Sequence, residues 1–228
     1  MRELDKKLIK ATGKEDLELA KSLISQGADV NALDDWRNST LSNAIWDERT
    51  QVMDFLFKHG ARIHINGGHN LIMHACFNGK YKSVLWLLDK GVNPNFLLES
   101  TGETPLHYTI VKQDDSVRTE IVKALIDAGA DVNKKTIPKT ETACFMRDAY
   151  LKGETPLHRA AAYGDEEMIK ALKDAGADLT IKDANGDTPL SWGSWHLRPS
   201  NILGLLLYGN VPGWYGFPNP NLNGEDLK

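Results

Sequence analysis

Apolar residues recur at helical spacing in the segment GETPLHRAAAYGDEEMIKALKDAGADLT, in two short runs separated by a glycine. The first run places Leu157 and Ala160 on one thin stripe, and the second places Ile169 and Leu172 on another. Both runs have the 3.6-residue period of amphipathic helices. The pattern therefore predicts two short helices whose apolar faces cannot be buried within the unit and must stack on neighbours.

The ends of both predicted helices carry residues that favour helix termini. Thr155 suits an N-cap, because its hydroxyl can accept an orphan backbone N–H, and Pro156 suits the first helical position. We expect Gly164 to separate the helices by adopting a backbone conformation that is closed to other residues. We expect Gly176 to end the second helix.

Related segments occur six times along the chain. The six marker glycines, at spacings of 33, 31, 38, 47 and 33, are Gly27, Gly60, Gly91, Gly129, Gly176 and Gly209. The phrase GETPLH occurs twice, and its second copy begins 51 positions after the first. The excess over 33 predicts fourteen residues inserted in the turn before Thr155 and about four more between two helices, around 112–118.

These motifs resemble those of the ankyrin repeat family. The residues that carry the resemblance are Thr155, Pro156, Leu157, His158, Ala160, Ala161, Gly164, Ile169, Leu172, Gly176, Ala177 and Asp178. The resemblance implies 33-residue units, each with a β-turn and two antiparallel helices, and so an all-α solenoid of about six repeats with capping end repeats. The predicted repeats span about 1–33, 34–66, 67–98, 99–134, 149–181 and 182–210 of a domain at 1–210, with an insert at about 133–152 and a C-terminal tail at 211–228.

Composition and charge narrow the classes of partner. The net charge of −4 gives no electrostatic reason to expect nucleic acid or an acidic membrane as the partner. Two cysteines among 228 residues do not form a disulfide framework, and no stretch approaches the roughly 20 apolar residues that span a bilayer. We therefore expect a cytoplasmic monomer without nucleic-acid or membrane binding.

The family resemblance implies a non-catalytic protein–protein interaction module, with an adaptor or inhibitor-like role. In the family, partners dock on the concave face and on the turn tips, which here would include Asp35, Glu103, Glu154 and Asp187. The candidate partner-binding residues are Trp36, Asn38, Trp46, Asp47, Phe77, Tyr108, Phe145, Met146, Tyr163 and Trp195. The aromatic residues among them should lie on or near one face and supply anchors. Alternatively, some of them fold onto neighbouring helices.

The insert at 133–152 is basic within an acidic chain, with five basic and two acidic residues. Its centre, at 142–151, predicts a short helix with Phe145 and Met146 on one face. Either it projects as a binding finger, or it is a surface loop packed on its own solenoid. A rival hypothesis is an enzyme or small-molecule binder with the insert as a lid beside Cys144, which predicts a deep pocket next to 140–151.

Other candidate chemistry is weak. His64, His69, His74 and Cys76 are close in sequence, but they fall on different elements and are not expected to converge on a metal. The resemblance implies that His107 and His158 bond between adjacent repeat turns and are structural. Because no nucleophile, phosphate-loop or dinucleotide motif occurs, we expect no catalytic, cofactor or metal site. Lys173 should cover apolar surface with its stem while its amine reaches water.

Overall fold

The structure, a computed structural model, describes residues 1–63, 70–111, 116–140, 142 and 153–208. The chain forms two compact units, residues 1–92 and 93–228. Within the described ranges the secondary structure is helical, apart from one isolated bridge between Leu33 and Ser39. The two units are therefore described separately.

The first unit contains three helix pairs. Its helices are α1 (Glu3–Gly13), α2 (Leu17–Ser25), α3 (Thr40–Trp46), α4 (Thr50–Lys58), α5 (Leu71–Phe77) and α6 (Tyr81–Asp89). The partners of each pair pack together, and the first helices contact one another in the order α1, α3, α5. The layer formed by these first helices carries the candidate site described below.

The second unit repeats the same arrangement. Its helices are α7 (Pro105–Thr109), α8 (Ser116–Asp127), α9 (Pro156–Tyr163), α10 (Glu166–Asp174), α11 (Pro189–Trp195) and α12 (Ser200–Tyr208). First helices stack on first helices, from α7 through α9 to α11, and second helices on second helices, from α8 through α10 to α12. The predicted all-α repeat fold is confirmed. The four-residue excess was predicted around 112–118; residues 112–115 lie outside the described part of the chain, and residues 116–118 begin α8.

Gly176 and Gly164 each follow a helix, but glycine suits the two positions for different physical reasons. Gly176 has φ +89° and follows α10, while the N–H of Ala177 bonds back to the carbonyl of Leu172 at 2.9 Å, so the predicted end of the second helix is confirmed. The prediction for Gly164 was wrong, because its φ of −73° is open to any residue. Gly164 is instead in a tight site, since a Cβ there would lie 2.9 Å from the carbonyl oxygen of Ala160.

An asparagine four residues after each of three marker glycines, Gly27, Gly91 and Gly129, clamps successive repeats together. Asn133 donates through Nδ2 to the carbonyl of Gly176 at 2.9 Å and accepts the N–H of Asp178 at 2.8 Å. Asn31 and Asn95 make the same pair of bonds to the glycine turns that follow them. Both polar ends of the amide are satisfied, so the clamp fixes the register of one turn on the next.

In the first helix an ion pair takes the place of this asparagine clamp. Arg2 donates to the carbonyl of Gly27 at 3.2 Å, and Asp5 accepts the N–H of Asp29 at 2.9 Å. Arg2 and Asp5 also bond each other through two hydrogen bonds of 2.8 and 2.9 Å. The polar backbone groups of the first glycine turn are thereby satisfied from within the first repeat.

The amine of Lys173, which was predicted to reach water, also bonds within the protein. It donates to the backbone carbonyl of Leu205 in the last turn of α12. Carbonyls at the end of a helix lack intrahelical partners, and a cation there is favourable. Burial lowers the pKa of Lys173 below its ordinary value. The lysine therefore joins α10 to the end of α12.

Arg159 on α9 lies at the centre of a buried ion cluster in the second unit. Its guanidinium donates to Glu154 Oε1 at 2.6 and 2.9 Å and to Glu103 Oε1 at 2.9 Å, and all three side chains are fully buried. The remaining carboxylate oxygens accept from the hydroxyls of Thr101 and Thr136, at 3.0 and 2.9 Å. The expectation that Glu103 and Glu154 lie at exposed turn tips was wrong, because both turn inward to share one arginine.

The two histidines of the GETPLH copies join adjacent turns, as the family resemblance implied. Nδ1 of His158 accepts the N–H of Thr155 at 3.2 Å, so Nε2 carries the proton and donates to the carbonyl of Asp187 at 3.1 Å. His107 makes the equivalent bonds to Thr104 and to the carbonyl of Glu154. A charged imidazole is disfavoured at both places. Burial lowers the pKa of His158, and burial together with the charge of Arg159 holds the pKa of His107 well below its ordinary value.

Candidate protein-interaction surface

A rigid turn presents the most exposed tryptophan of the first unit. Oδ1 of Asp34 accepts the backbone N–H groups of Trp36 and Asn38, at 2.9 and 2.7 Å, and the N–H of Asp34 donates to the carbonyl of Asn38 at 2.8 Å. Aspartate commonly fixes turns in this way. The turn leaves the Trp36 side chain 83% exposed at its tip.

A groove of about 320 Å³ lies between α3 and α5, and we name it the α3–α5 groove. It is lined by Asn38, Ser42, Asn43, Ile45, Trp46, Leu71, His74, Ala75 and Lys80. Two of the predicted partner-binding residues, Asn38 and Trp46, are thereby brought together. The side chain of Trp46 is 53% exposed, and the amine of Lys80 lies 5.3 Å from the centre of its ring. This cation–π contact helps to fix the indole at the wall of the groove.

A second groove, of about 240 Å³, lies on the other side of Trp46, between α1 and α3. We name it the α1–α3 groove. Asp47 lines it and forms an ion pair of 3.0 Å with Arg49, which in turn donates to the carbonyl of Gly13 at the end of α1. Trp46 and Asn43 line both grooves, so the two concave sites on the layer of first helices share a wall that includes the indole.

The remaining candidates of the first unit lie outside the two grooves. Trp36 stands at the tip of the turn that supplies Asn38. Phe77, the last residue of α5, is partly buried and lines neither groove. Lys80 and Asn43 were missed from the sequence. Lys80 lies only three residues beyond Phe77, directly before α6, but a single lysine in that position carries no sequence signal of its own.

The aromatic candidates of the second unit divide into two kinds. Tyr163 packs against Ala162 and Trp192, and its hydroxyl lies 3.3 Å from Nε2 of His196. That contact favours the alternative in which an aromatic folds onto its neighbours. Trp195, at the end of α11, is 58% exposed, and Tyr108 is half-buried, with its pKa raised by burial. Trp195 is therefore the more accessible anchor of this unit.

The two ends of the insert meet at a closed stem. The N–H of Thr136 donates to the carbonyl of Glu154 at 2.9 Å, as the N–H of Asp183 does to the carbonyl of Asp187 at 2.8 Å in the following turn. The hydroxyl of Thr136 adds a bond to the Glu154 carboxylate. The insert thus replaces the three-residue tip of an ordinary repeat turn. Phe145 and Met146, which were predicted to bind a partner, lie outside the described residues.

Because the stem closes independently of the insert, the insert should be removable. Replacing residues 137–153 with Ala-Asn-Gly, the tip between Asp183 and Asp187, removes the fourteen additional residues and retains both ends of the stem. We expect the helical circular dichroism to be unchanged and the melting temperature to move by only about 2–4 °C, the shift that roughly 1 kcal/mol gives in a chain of this size. An aggregated or non-cooperatively melting variant would show that the insert is a structural part of the second unit.

Other predicted chemistry can be placed only in part. No group of three metal-ligating side chains occurs among the residues with described positions. His64 and His69 lie outside them, whereas His74 is exposed on α5 and Cys76 is buried. The pocket that the lid hypothesis places beside 140–151 falls almost entirely outside the described ranges. In the described part of the chain, no helix is long and apolar enough to cross a bilayer.

Comparison with known proteins identifies related chains. A family model of ankyrin repeats matches three times, over residues 8–97, 66–136 and 138–212. A solved ankyrin repeat domain from Acinetobacter baumannii is 30% identical, with a TM-score of 0.58 over 75% of this chain and 81% of that one. Human SH3 and multiple ankyrin repeat domains protein 2 is 34% identical over 58% of this chain, and the chicken nuclear factor NF-kappa-B p105 subunit is 30% identical over 73%. The chain spans only 6% and 16% of those two curated relatives.

Proposed function

The chain belongs to the ankyrin repeat family, and on that premise we propose that it is a non-catalytic module that binds another protein through the first-helix layer of its first unit. Ankyrin repeats generally serve as protein–protein interaction modules. The observation that carries the proposal is the position of Trp46, half exposed on the wall between two grooves. Tryptophan is among the residues most often found at the energetic centre of an interface.

The turn tip adds a second anchor to this surface. Trp36 is exposed on a turn that is already fixed by Asp34, so little conformational freedom is lost when a partner covers it. Asn38 links the two anchors, since it belongs to this turn and also lines the α3–α5 groove. Trp195 and the insert belong to the same proposal as additional contacts from the second unit.

The module acts on its partner by binding or occlusion, as an adaptor or inhibitor does. A cytoplasmic location and a monomeric state, both predicted from the sequence, are part of the proposal. The alternative of an enzyme or small-molecule binder with the insert as a lid depends on a pocket beside residues 140–151, most of which lie outside the described chain. We therefore do not adopt it.

Removing both tryptophans tests the proposal. Partners are first captured from the native source with the wild-type chain and identified by mass spectrometry. We expect the double variant Trp36→Ala and Trp46→Ala to bind the captured partner at least about thirtyfold more weakly, since a hot-spot residue contributes about 2 kcal/mol or more. Isothermal titration calorimetry measures the loss. Circular dichroism should show unchanged helix content, because neither side chain is part of the core.

A matched control changes two other exposed apolar residues of the same unit. Leu19 on α2 and Leu85 on α6 are exposed but belong to second helices, away from the first-helix layer. The double variant Leu19→Ala and Leu85→Ala should retain wild-type affinity. If the leucine pair weakens binding and the tryptophan pair does not, the interaction surface lies on the second helices and the proposal fails.

A further inference from the structure

The α3–α5 groove has a one-sided distribution of charge. Its nine lining residues include a lysine, a histidine, two asparagines and a serine, but no aspartate or glutamate. Across the whole sequence acidic residues outnumber lysine and arginine, 31 to 27. A concave site without carboxylates in such a chain favours negatively charged ligands, because like-charge repulsion is locally relieved.

The carboxylates nearest in sequence to Trp46 are bonded to other groups. Asp47 pairs with Arg49 at 3.0 Å and belongs to the lining of the α1–α3 groove. Oε1 of Glu48 accepts the backbone N–H of Lys82 at 2.8 Å. Neither of them lines the α3–α5 groove, so neither is placed to neutralise Lys80 there.

Lys80 is available to a ligand. Within the described residues its amine pairs with no carboxylate, and its contact is with the ring of Trp46. A cation over an indole face keeps donors directed away from the ring, so an incoming carboxylate can bind without breaking the contact. Ile45 and Leu71 line the same groove and can take an apolar side chain next to the charged one.

The size and polarity of the groove fit a short length of peptide. Its volume of about 320 Å³ is at the lower end of the range for pockets that enclose a ligand. The amides of Asn38 and Asn43 both donate and accept, as required to bind the backbone of an extended chain. From these contacts, and resting on the proposed function, we propose that the α3–α5 groove binds an extended acidic segment of the partner protein, with a carboxylate on Lys80 and an adjacent apolar side chain against Trp46.

Three capped peptides of one design test this preference. Their sequences are Gly-Glu-Leu-Glu-Gly, Gly-Gln-Leu-Gln-Gly and Gly-Lys-Leu-Lys-Gly, so only the charge differs. Binding to the full chain is followed by two-dimensional NMR of the ¹⁵N-labelled protein, with the indole N–H of Trp46 as reporter. We expect the glutamate peptide to shift this signal and to bind roughly tenfold more tightly than the lysine peptide, and to lose affinity in higher salt.

Reversing the charge of Lys80 gives the decisive test of the acidic preference. Lys80→Glu should weaken the glutamate peptide about tenfold and make the lysine peptide the preferred ligand, since each 1.4 kcal/mol corresponds to a factor of ten. Lys82→Glu is the matched control. It makes the same change of net charge on an exposed side chain that does not line the groove, so it should leave both affinities unchanged.

The outcomes separate this inference from the proposed function. Equal binding of the three peptides, equal effects of Lys80→Glu and Lys82→Glu, or no binding of any peptide would overturn the acidic preference. In each of those cases the tryptophan variants still report whether the surface binds the captured partner. If the tryptophan variants retain partner affinity while the glutamate peptide behaves as expected, the groove is selective but is not the partner's site.

Discussion

Replacement of Arg159 by alanine is expected to lower the free energy of unfolding by about 3–5 kcal/mol, the cost of breaking a buried ion pair by removing one partner. The substitution leaves the carboxylates of Glu103 and Glu154 fully buried and without the guanidinium that joins them. It also removes the donor to the carbonyl of His107, which Nη1 of Arg159 contacts at 2.7 Å. Such a loss is a large part of the 5–15 kcal/mol typical of a whole domain.

Urea unfolding followed by circular dichroism measures this effect. Arg62→Ala is the control, because Arg62 is exposed and takes part in the asparagine clamp through its backbone N–H alone. Neutralising both carboxylates, with Glu103→Gln and Glu154→Gln, should restore part of the stability of the Arg159→Ala variant. If Arg159→Ala costs no more than Arg62→Ala, then the buried cluster contributes nothing to folding and this account of it is wrong.

Mild acid is expected to destabilise the protein through the two turn histidines. The folded-state pKa values of His107 and His158 lie below the ordinary value of 6.5, chiefly because burial disfavours the charged ring. Below pH 6.5 the unfolded chain therefore binds protons that the folded chain does not. The stability that the two neutral histidines contribute is complete above pH 6.5. It is lost as the pH falls toward their folded-state pKa values, at up to about 1.4 kcal/mol per pH unit for each histidine.

The slope of stability against pH distinguishes these residues from general acid effects. Urea unfolding at pH 7.5, 6.5 and 5.5 gives the slope for the wild type, for His107→Gln and for His158→Gln. Glutamine does not titrate in this range, so each variant should remove up to about 1.4 kcal/mol per pH unit, even though both are less stable than the wild type at pH 7.5. If the slope is the same in both variants as in the wild type, then neither histidine contributes to the pH dependence of the free energy of unfolding.

The helices and their ends were predictable because they depend on local signals. The left-handed turn at Gly176 and the start of α9 at Pro156 follow from single residues with strong backbone preferences. The environments of Glu103, Lys173 and Gly164 were not predictable, because each depends on a partner distant in sequence or on the closeness of a neighbour. Arg159 directly after His158 was the one available sign of the buried cluster, since the corresponding position in the other GETPLH copy is Tyr108.

Two candidate contact residues could be named from the sequence, whereas the side chains around them could not. The alignment of this chain with the contact positions of ankyrin repeats predicted Trp46 and Asn38 as contact residues. The structure brings both to one groove. Lys80 and Asn43 join them only because α3 and α5 pack side by side, and a sequence pattern does not show which side chains meet across two helices. Tyr163 shows the converse, since its hydroxyl hydrogen-bonds to His196 within its own unit.

Trp46 has a further consequence because it is a wall common to two sites. A ligand that turns the indole in the α3–α5 groove also changes the shape of the α1–α3 groove. By thermodynamic linkage, any such effect on binding must be reciprocal, with the same factor in both directions. For a ligand with that effect the two grooves are coupled, and a partner with two docking segments would bind them cooperatively or exclusively according to how the indole turns.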